Sequence, residues 1–132
     1  MCKKILAFII FSLGLSSIAQ SDSINTGIAS FYAHKFEGRK TASGETFRQD
    51  SLTAAHKNLP FGTMLEVRNL SNDSIVNVRV NDRLPKSSKR SIDLSYAAAN
   101  QLNFVKKGLT KVQIRILPTI TEETDENVKT ED

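Results

Sequence analysis

A single cysteine in 132 residues leaves no material for a disulfide framework or a cysteine-built zinc site. Six glycines and three prolines are too few for a low-complexity or collagen-like chain. Long hydrophobic runs are missing too. The most apolar stretch, residues 5–15, falls short of the roughly 18 residues that a bilayer crossing needs. What is there is the composition of a globular protein: 39% hydrophobic, 24% charged and 7% aromatic residues exclude a disordered polymer. The length suits one domain with a thin core, since a chain this small buries only about 60–65% of its unfolded surface.

The short apolar run has a context. Met1-Cys2-Lys3-Lys4 is basic, residues 5–15 are apolar, and Ser17-Ile18-Ala19 sets small residues before a possible cut at Gln20. That layout predicts a secretory signal peptide over residues 1–19. Cys2 lies in the basic start, and no cysteine follows the apolar run to carry a lipid. The mature chain is therefore expected to be exported, soluble and without a membrane anchor.

Charge is uneven. Residues 24–117 hold 15 Lys/Arg against 7 Asp/Glu, a net of +8, whereas residues 119–132 hold six acids and one lysine, a net of −5. Residues 118–132 read as an acidic, disordered tail with too little apolar surface to fold. A basic domain suits an anionic polymer. Export argues against nucleic acid and in favour of wall polymers, although surplus lysines that only maintain solubility account for the same charge.

Within residues 24–117 the alternation is mostly that of strands. Residues 26–32, 63–69, 75–80 and 112–116 each place apolar side chains two apart, and Ser71-Asn72-Asp73 supplies turn chemistry for a hairpin between the second and third. Thr53-Ala54-Ala55 is a further short strand, and Leu59-Pro60-Phe61-Gly62 reads as a type I turn. One helix is expected, Tyr96 to Leu102, capped by Ser95 and ended at Asn103. Short strands with one helix favour a closed barrel, because closure removes exposed edges.

Several polar residues stand outside this pattern. Residues 35–45 form a loop with two glycines ending in Glu45. Asn81-Asp82-Arg83 follows a hydrophobic strand at the point where the chain is expected to leave the sheet. His56 ends a short strand, and Asp93 precedes the helix. Each has an ordinary account: a surface ion pair for Asp82 and Arg83, a dipole-favoured acid for Asp93, a satisfied core histidine, a solvated glutamate.

Together, however, Gly27-Ile28-Ala29-Ser30-Phe31-Tyr32, Gly38-Arg39, Gly44-Glu45, Leu52-Thr53-Ala54-Ala55-His56, Leu59-Pro60-Phe61-Gly62-Thr63, Val78-Arg79-Val80-Asn81-Asp82-Arg83 and Arg90-Ser91-Ile92-Asp93-Leu94-Ser95 occur in an order that resembles the rare lipoprotein A (RlpA-like) family. The resemblance implies a mainly β fold, a six-stranded double-psi β-barrel with one short helix, over residues 24–117. It implies a lytic transglycosylase of peptidoglycan, with glycan strands as the partner, no cofactor, no metal, and a monomer in the periplasm or cell envelope. The alternative is an expansin-like, non-catalytic wall-binding protein on the same barrel; a weaker reading is an inhibitor or interaction module.

By the same resemblance Asp82 is the candidate acid/base, and Glu45 and His56 are its polar companions. Arg83 and Arg39 are candidates to meet the muramyl carboxylate, and Tyr32 and Phe36 to stack on sugar. Asp93 is expected to hold the loop around Asp82 or to cap the helix. Three features depart from the family. Phe31-Tyr32-Ala33-His34 stands where many members have Trp-Tyr-Gly-Pro, so no role passes to His34. There is no lipobox, and the chain stops about 15 residues after the barrel, with no SPOR domain.

Overall fold

A computed structural model describes residues 23–119. The expected signal peptide and nearly all of the expected acidic tail lie outside the described residues. Among the described residues no helix is long and apolar enough to cross a membrane.

Six strands close into a barrel: β1 (Ile24–Phe31), β2 (Thr53–His56), β3 (Met64–Asn69), β4 (Ile75–Arg83), β5 (Ile92–Leu94) and β6 (Thr110–Ile116). Around the barrel the order is β1-β5-β2-β4-β3-β6, closed by the β6–β1 pair. Two pairs are parallel, β1 with β5 and β2 with β4; the others are antiparallel. The architecture is the double-psi β-barrel with one helix, α1 (Tyr96–Gln101).

Period-two alternation builds the core. Leu65 and Val67 of β3, Val76, Val78 and Val80 of β4, and Val112 and Ile114 of β6 face inward and are buried. Outward on the same strands, Glu66 lies opposite Arg115 and accepts its guanidinium at 2.9 Å. The β3–β4 hairpin forms as expected, with Asp73 in the left-handed region at φ 62°. Beside its turn the buried Asn69 donates to the Leu102 carbonyl (2.7 Å) and accepts from Thr110 Oγ1 (2.8 Å) and the Ser71 N–H (3.0 Å). This polar knot ties the hairpin to the end of α1, where Asn103 turns left-handed at φ 54°. Ser95 caps the helix by accepting from the Ala98 N–H.

Three local expectations differ from the structure. The 59–62 turn sits one residue later: the Thr63 N–H bonds the Pro60 carbonyl, and Gly62, at φ 89°, donates instead to Val80. A positive φ at the third turn residue is the type II requirement, which glycine meets without strain. Residues 92–94 form strand β5, three residues long and so too brief to show alternation. Most consequential, the chain does not leave the sheet at Asn81: β4 runs on to Arg83.

That extension carries a bulge. Ala54 is opposite Val80, but the next residue, Ala55, is opposite Asp82, which leaves Asn81 as an extra residue on β4. Unbulged alternation would set residue 82 on the same face as Val78 and Val80, inside the barrel. The extra residue reverses this. Ala55 faces away from the core residue Ala54, so its neighbour Asp82 lies on the outer surface of the barrel wall.

Candidate active site

The outer-face row continues across the sheet. Ala55 is opposite Asp82 on one side and Asp93 on the other, and Asp93 is opposite Ser30. Asp82, Ala55, Asp93 and Ser30 thus lie side by side on β4, β2, β5 and β1. Two strand spacings, roughly 10 Å of backbone, separate the aspartates, with only a methyl group between them. Above this floor opens a cavity of about 670 Å³, walled by Tyr32, Lys35, Phe36, Arg83 and Arg90 among others.

Asp82 is held without a cation. Its Oδ2 accepts the Tyr32 phenol at 2.6 Å, and its Oδ1 accepts the backbone N–H groups of Ala42 (2.8 Å) and Arg83 (2.9 Å). Among the described residues it forms no ion pair. Burial, and next the bond to Asp82, push the Tyr32 phenol far above its ordinary value, so it stays a proton donor. The Tyr32 ring is itself fixed: it stacks on buried Phe47 at 4.3 Å and meets the edge of Phe36 at 5.8 Å. The Ala42 amide arrives on a small hairpin, in which Thr41 and Glu45 bond at 2.8 Å and Arg39 and Phe47 at 2.7 Å.

Asp93 is bound differently. Its Oδ1 accepts Ser30 Oγ (2.5 Å) and Arg90 Nε (2.8 Å), and its Oδ2 accepts a second Arg90 nitrogen at 3.1 Å. It neither caps the helix nor holds the Asp82 segment, as the sequence had suggested. The helix start is held by Gln49, whose Oε1 accepts the Tyr96 N–H at 2.7 Å while its Nε2 donates to Tyr32 and Ala33 carbonyls.

Residues 24–114 match the family described as lytic transglycolase. The chain belongs to the RlpA-like family. It is 50% identical over 91 residues to the endolytic peptidoglycan transglycosylase RlpA of Campylobacter jejuni, covering 69% of this chain and 33% of that one. Likeness to the Haemophilus influenzae protein of the same name is 49% over 94 residues, covering 71% and 33%. For the Rickettsia bellii protein it is 46% over 107 residues, covering 79% and 47%. The chain spans about a third to a half of the length of these curated relatives. By fold it is similar to a Streptomyces papain inhibitor (TM-score 0.59, 23% identity, 73% of this chain and 96% of that one). The expansin of Clavibacter michiganensis is similar too (TM-score 0.59, 20% identity, 73% and 51%). At these identities the likeness concerns the barrel alone.

The residues singled out by the resemblance separate into two groups. Tyr32, Phe36, Asp82 and Arg83 line the one cavity. Glu45, His56 and Arg39 are outside that lining. Glu45 grips Arg79 in a two-pronged ion pair (2.5 and 2.9 Å) and accepts from Asn81 Nδ2 at 3.2 Å. Arg79 and then Asn81 hold its carboxyl below the usual range. Since Asn81 is the bulge residue, Glu45 braces the segment that presents Asp82. His56 falls on the opposite face of β2 from Ala55, in register with the core residue Ile92. Its Nδ1 accepts the Asn58 and Leu59 N–H groups, which leaves the ring proton on Nε2. Burial, then Arg83 and Lys57, lower its affinity for a second proton. Arg39 lies over the Phe36 ring at 5.4 Å.

Residues to which the sequence assigns no substrate role also line the cavity: Ser30, Lys35, Ala55, Arg90 and Asp93. A signal existed for one pair, because Arg90 and Asp93 are three apart and of opposite charge. Only the strand register shows that both belong beside Asp82. Among the described residues no group of three or more His, Cys, Asp or Glu is placed to hold a metal ion.

Proposed function

We propose that this chain is a peptidoglycan lytic transglycosylase that cleaves the bond from N-acetylmuramic acid to N-acetylglucosamine, with Asp82 as its general acid/base. The observation that carries this reading is the unpaired carboxylate: of the three acids near the cavity, Glu45 is neutralised by Arg79 and Asp93 by Arg90, whereas Asp82 has only neutral donors. A group that must cycle a proton works from such a setting, because a guanidinium partner would pin it in the ionised form.

The chemistry requires one proton to leave and one to return. Asp82 gives its proton to the glycosidic oxygen as the C1–O bond breaks, and N-acetylglucosamine departs as an alcohol. The muramyl C6 hydroxyl then closes on C1 and loses its proton to the Asp82 carboxylate, which forms the 1,6-anhydro ring without water. Tyr32 aims the carboxylate through its phenol. Arg83, which lines the cavity and stacks its guanidinium on Phe61 at 4.1 Å, is the cation for the lactyl carboxylate of the substrate. Phe36 provides an apolar wall for a sugar ring. The place of action is the cell envelope, where the polymer is, after removal of residues 1–19.

Incubation of the mature protein with purified sacculi, read by mass spectrometry, tests this directly. Anhydro-muropeptides are the expected product. Wall loosening without them would leave the expansin-like reading in place, and intact sacculi would end both.

A further inference from the structure

A second cavity, of about 360 Å³, lies at the end of α1 and is lined by Tyr96, Asn100, Asn103, Val105 and Lys106. The two linings touch through one ring pair. Phe31, which lines the Asp82 cavity, meets the Tyr96 ring edge-on at 6.2 Å. His34, between the cavity residues Ala33 and Lys35, brings its ring within 5.7 Å of the other side of that contact, the Tyr96 ring. The side-chain amides of Asn100 and Asn103 have no hydrogen-bond partner among the described residues. Asn103 holds the left-handed backbone at φ 54°, where glycine would be the unstrained choice. A flat aromatic ring, two solvent-exposed amides and a lysine thus line one hollow beside the reaction cavity.

We propose that this hollow is a distant sugar subsite that receives an N-acetylated sugar further along the same glycan strand. The assignment rests on the glycan reading of the Asp82 cavity. An amide side chain can both donate to and accept from an acetamido group, and an aromatic ring offers an apolar face to a sugar ring. The occupant is the strand itself, because Phe31 of the Asp82 cavity is in contact with Tyr96 of this hollow, which makes the two neighbours on the surface. Binding energy gathered away from the reacting bond raises the efficiency with which long strands are used.

The test uses the doubly substituted chain Asn100→Ala, Asn103→Gly. Both changes suit the local backbone, alanine in a helix and glycine at a positive φ, so the fold is retained. Binding of defined glycan oligomers of increasing length is followed by calorimetry. For the wild type, affinity should rise once the strand is long enough to reach both hollows. The variant should lose that rise, by roughly tenfold for the removal of one or two hydrogen bonds, and should keep wild-type affinity for the shortest oligomer bound. De-N-acetylated strands, with free amines facing Lys106, should show no rise with either protein. Equal binding by both proteins at every length, or no glycan binding at all, overturns the subsite. Failure of the transglycosylase reading looks different: the length-dependent step in binding persists while sacculi yield no anhydro product.

Discussion

The barrel has two unlike halves. In β3, the body of β4 and β6, strands of six or more residues pair antiparallel, and their apolar side chains alternate without interruption. In β2 and β5 the strands have four and three residues, both parallel pairs of the sheet involve one of them, and a bulge interrupts the register. The first half holds most of the valine core; the second presents Asp82, Asp93 and the cavity. Regular pairing supplies a rigid support, and the irregular part uses that support to aim polar groups that regular pairing would misplace.

The sharpest way to break the regular half is Val78→Asp. Val78 is fully buried in the middle of β4, and an unpaired charge there costs several kcal/mol, enough to remove cooperative folding from a thin core. Circular dichroism melting should show no transition; a normal melt would mean that Val78 does not face inward.

The irregular half should respond in the opposite sense. Asp82→Asn keeps the shape of the side chain, so the melting temperature should stay within a few degrees while anhydro-product formation falls about 10²–10⁴-fold. Glu45→Gln should lose less, since Glu45 braces the Asp82 segment from outside the cavity and Asn81 remains to hold it. Reversed severity would transfer the acid role to Glu45.

A smaller effect tests the join between the halves and the helix. Asn69→Ala takes the acceptor from the buried Thr110 hydroxyl and one of three side-chain donors from the Leu102 carbonyl, which keeps Asn72 and Ser74. Losing these buried bonds costs about 2 kcal/mol, or roughly 10 °C in melting temperature. A drop of only a degree or two would show that water replaces the amide without loss.

The smallest expected effect is a slope. Burial and the cations Arg83 and Lys57 place the folded proton affinity of His56 below its ordinary value. As pH falls, the unfolded chain takes up this proton first. The associated stability is therefore fully present above about pH 6.5 and declines as pH drops through the folded value. His56→Gln should flatten the melting-temperature profile between pH 7.5 and 5; parallel profiles would show that the histidine contributes nothing to it.

The same contrast explains what could be read from residues alone. Val76, Val78 and Val80, or Val112 and Ile114, announce their face because each strand is long enough to repeat the pattern. The barrel, the hairpin and the Ser95-capped helix were legible for that reason. β5 has no repeat to offer, so Asp93 looked like part of a helix entry. The Gly62 turn was misplaced by one residue because its partner, Val80, is distant in sequence. The cavity lining was legible in part: Asp82, Arg83, Tyr32 and Phe36 came through likeness of motif. Ala55 is missed for a physical reason, since its contribution is the space its methyl group leaves unfilled.

Asn81 gives β4 an unusual sensitivity. Upstream of it even-numbered residues point into the barrel; at Asp82 that parity is inverted, as though the strand changed reading frame. Substitutions at Asn81 can leave that offset standing, because the count of residues is what sets it. Removing the residue would close the bulge and leave Asp82 directly after Val80, still opposite Ala55 and outward, but without the amide that Glu45 holds. The face of the reactive group is therefore guarded by its register with Ala55, and the extra residue adds the tie through which Glu45 steadies it.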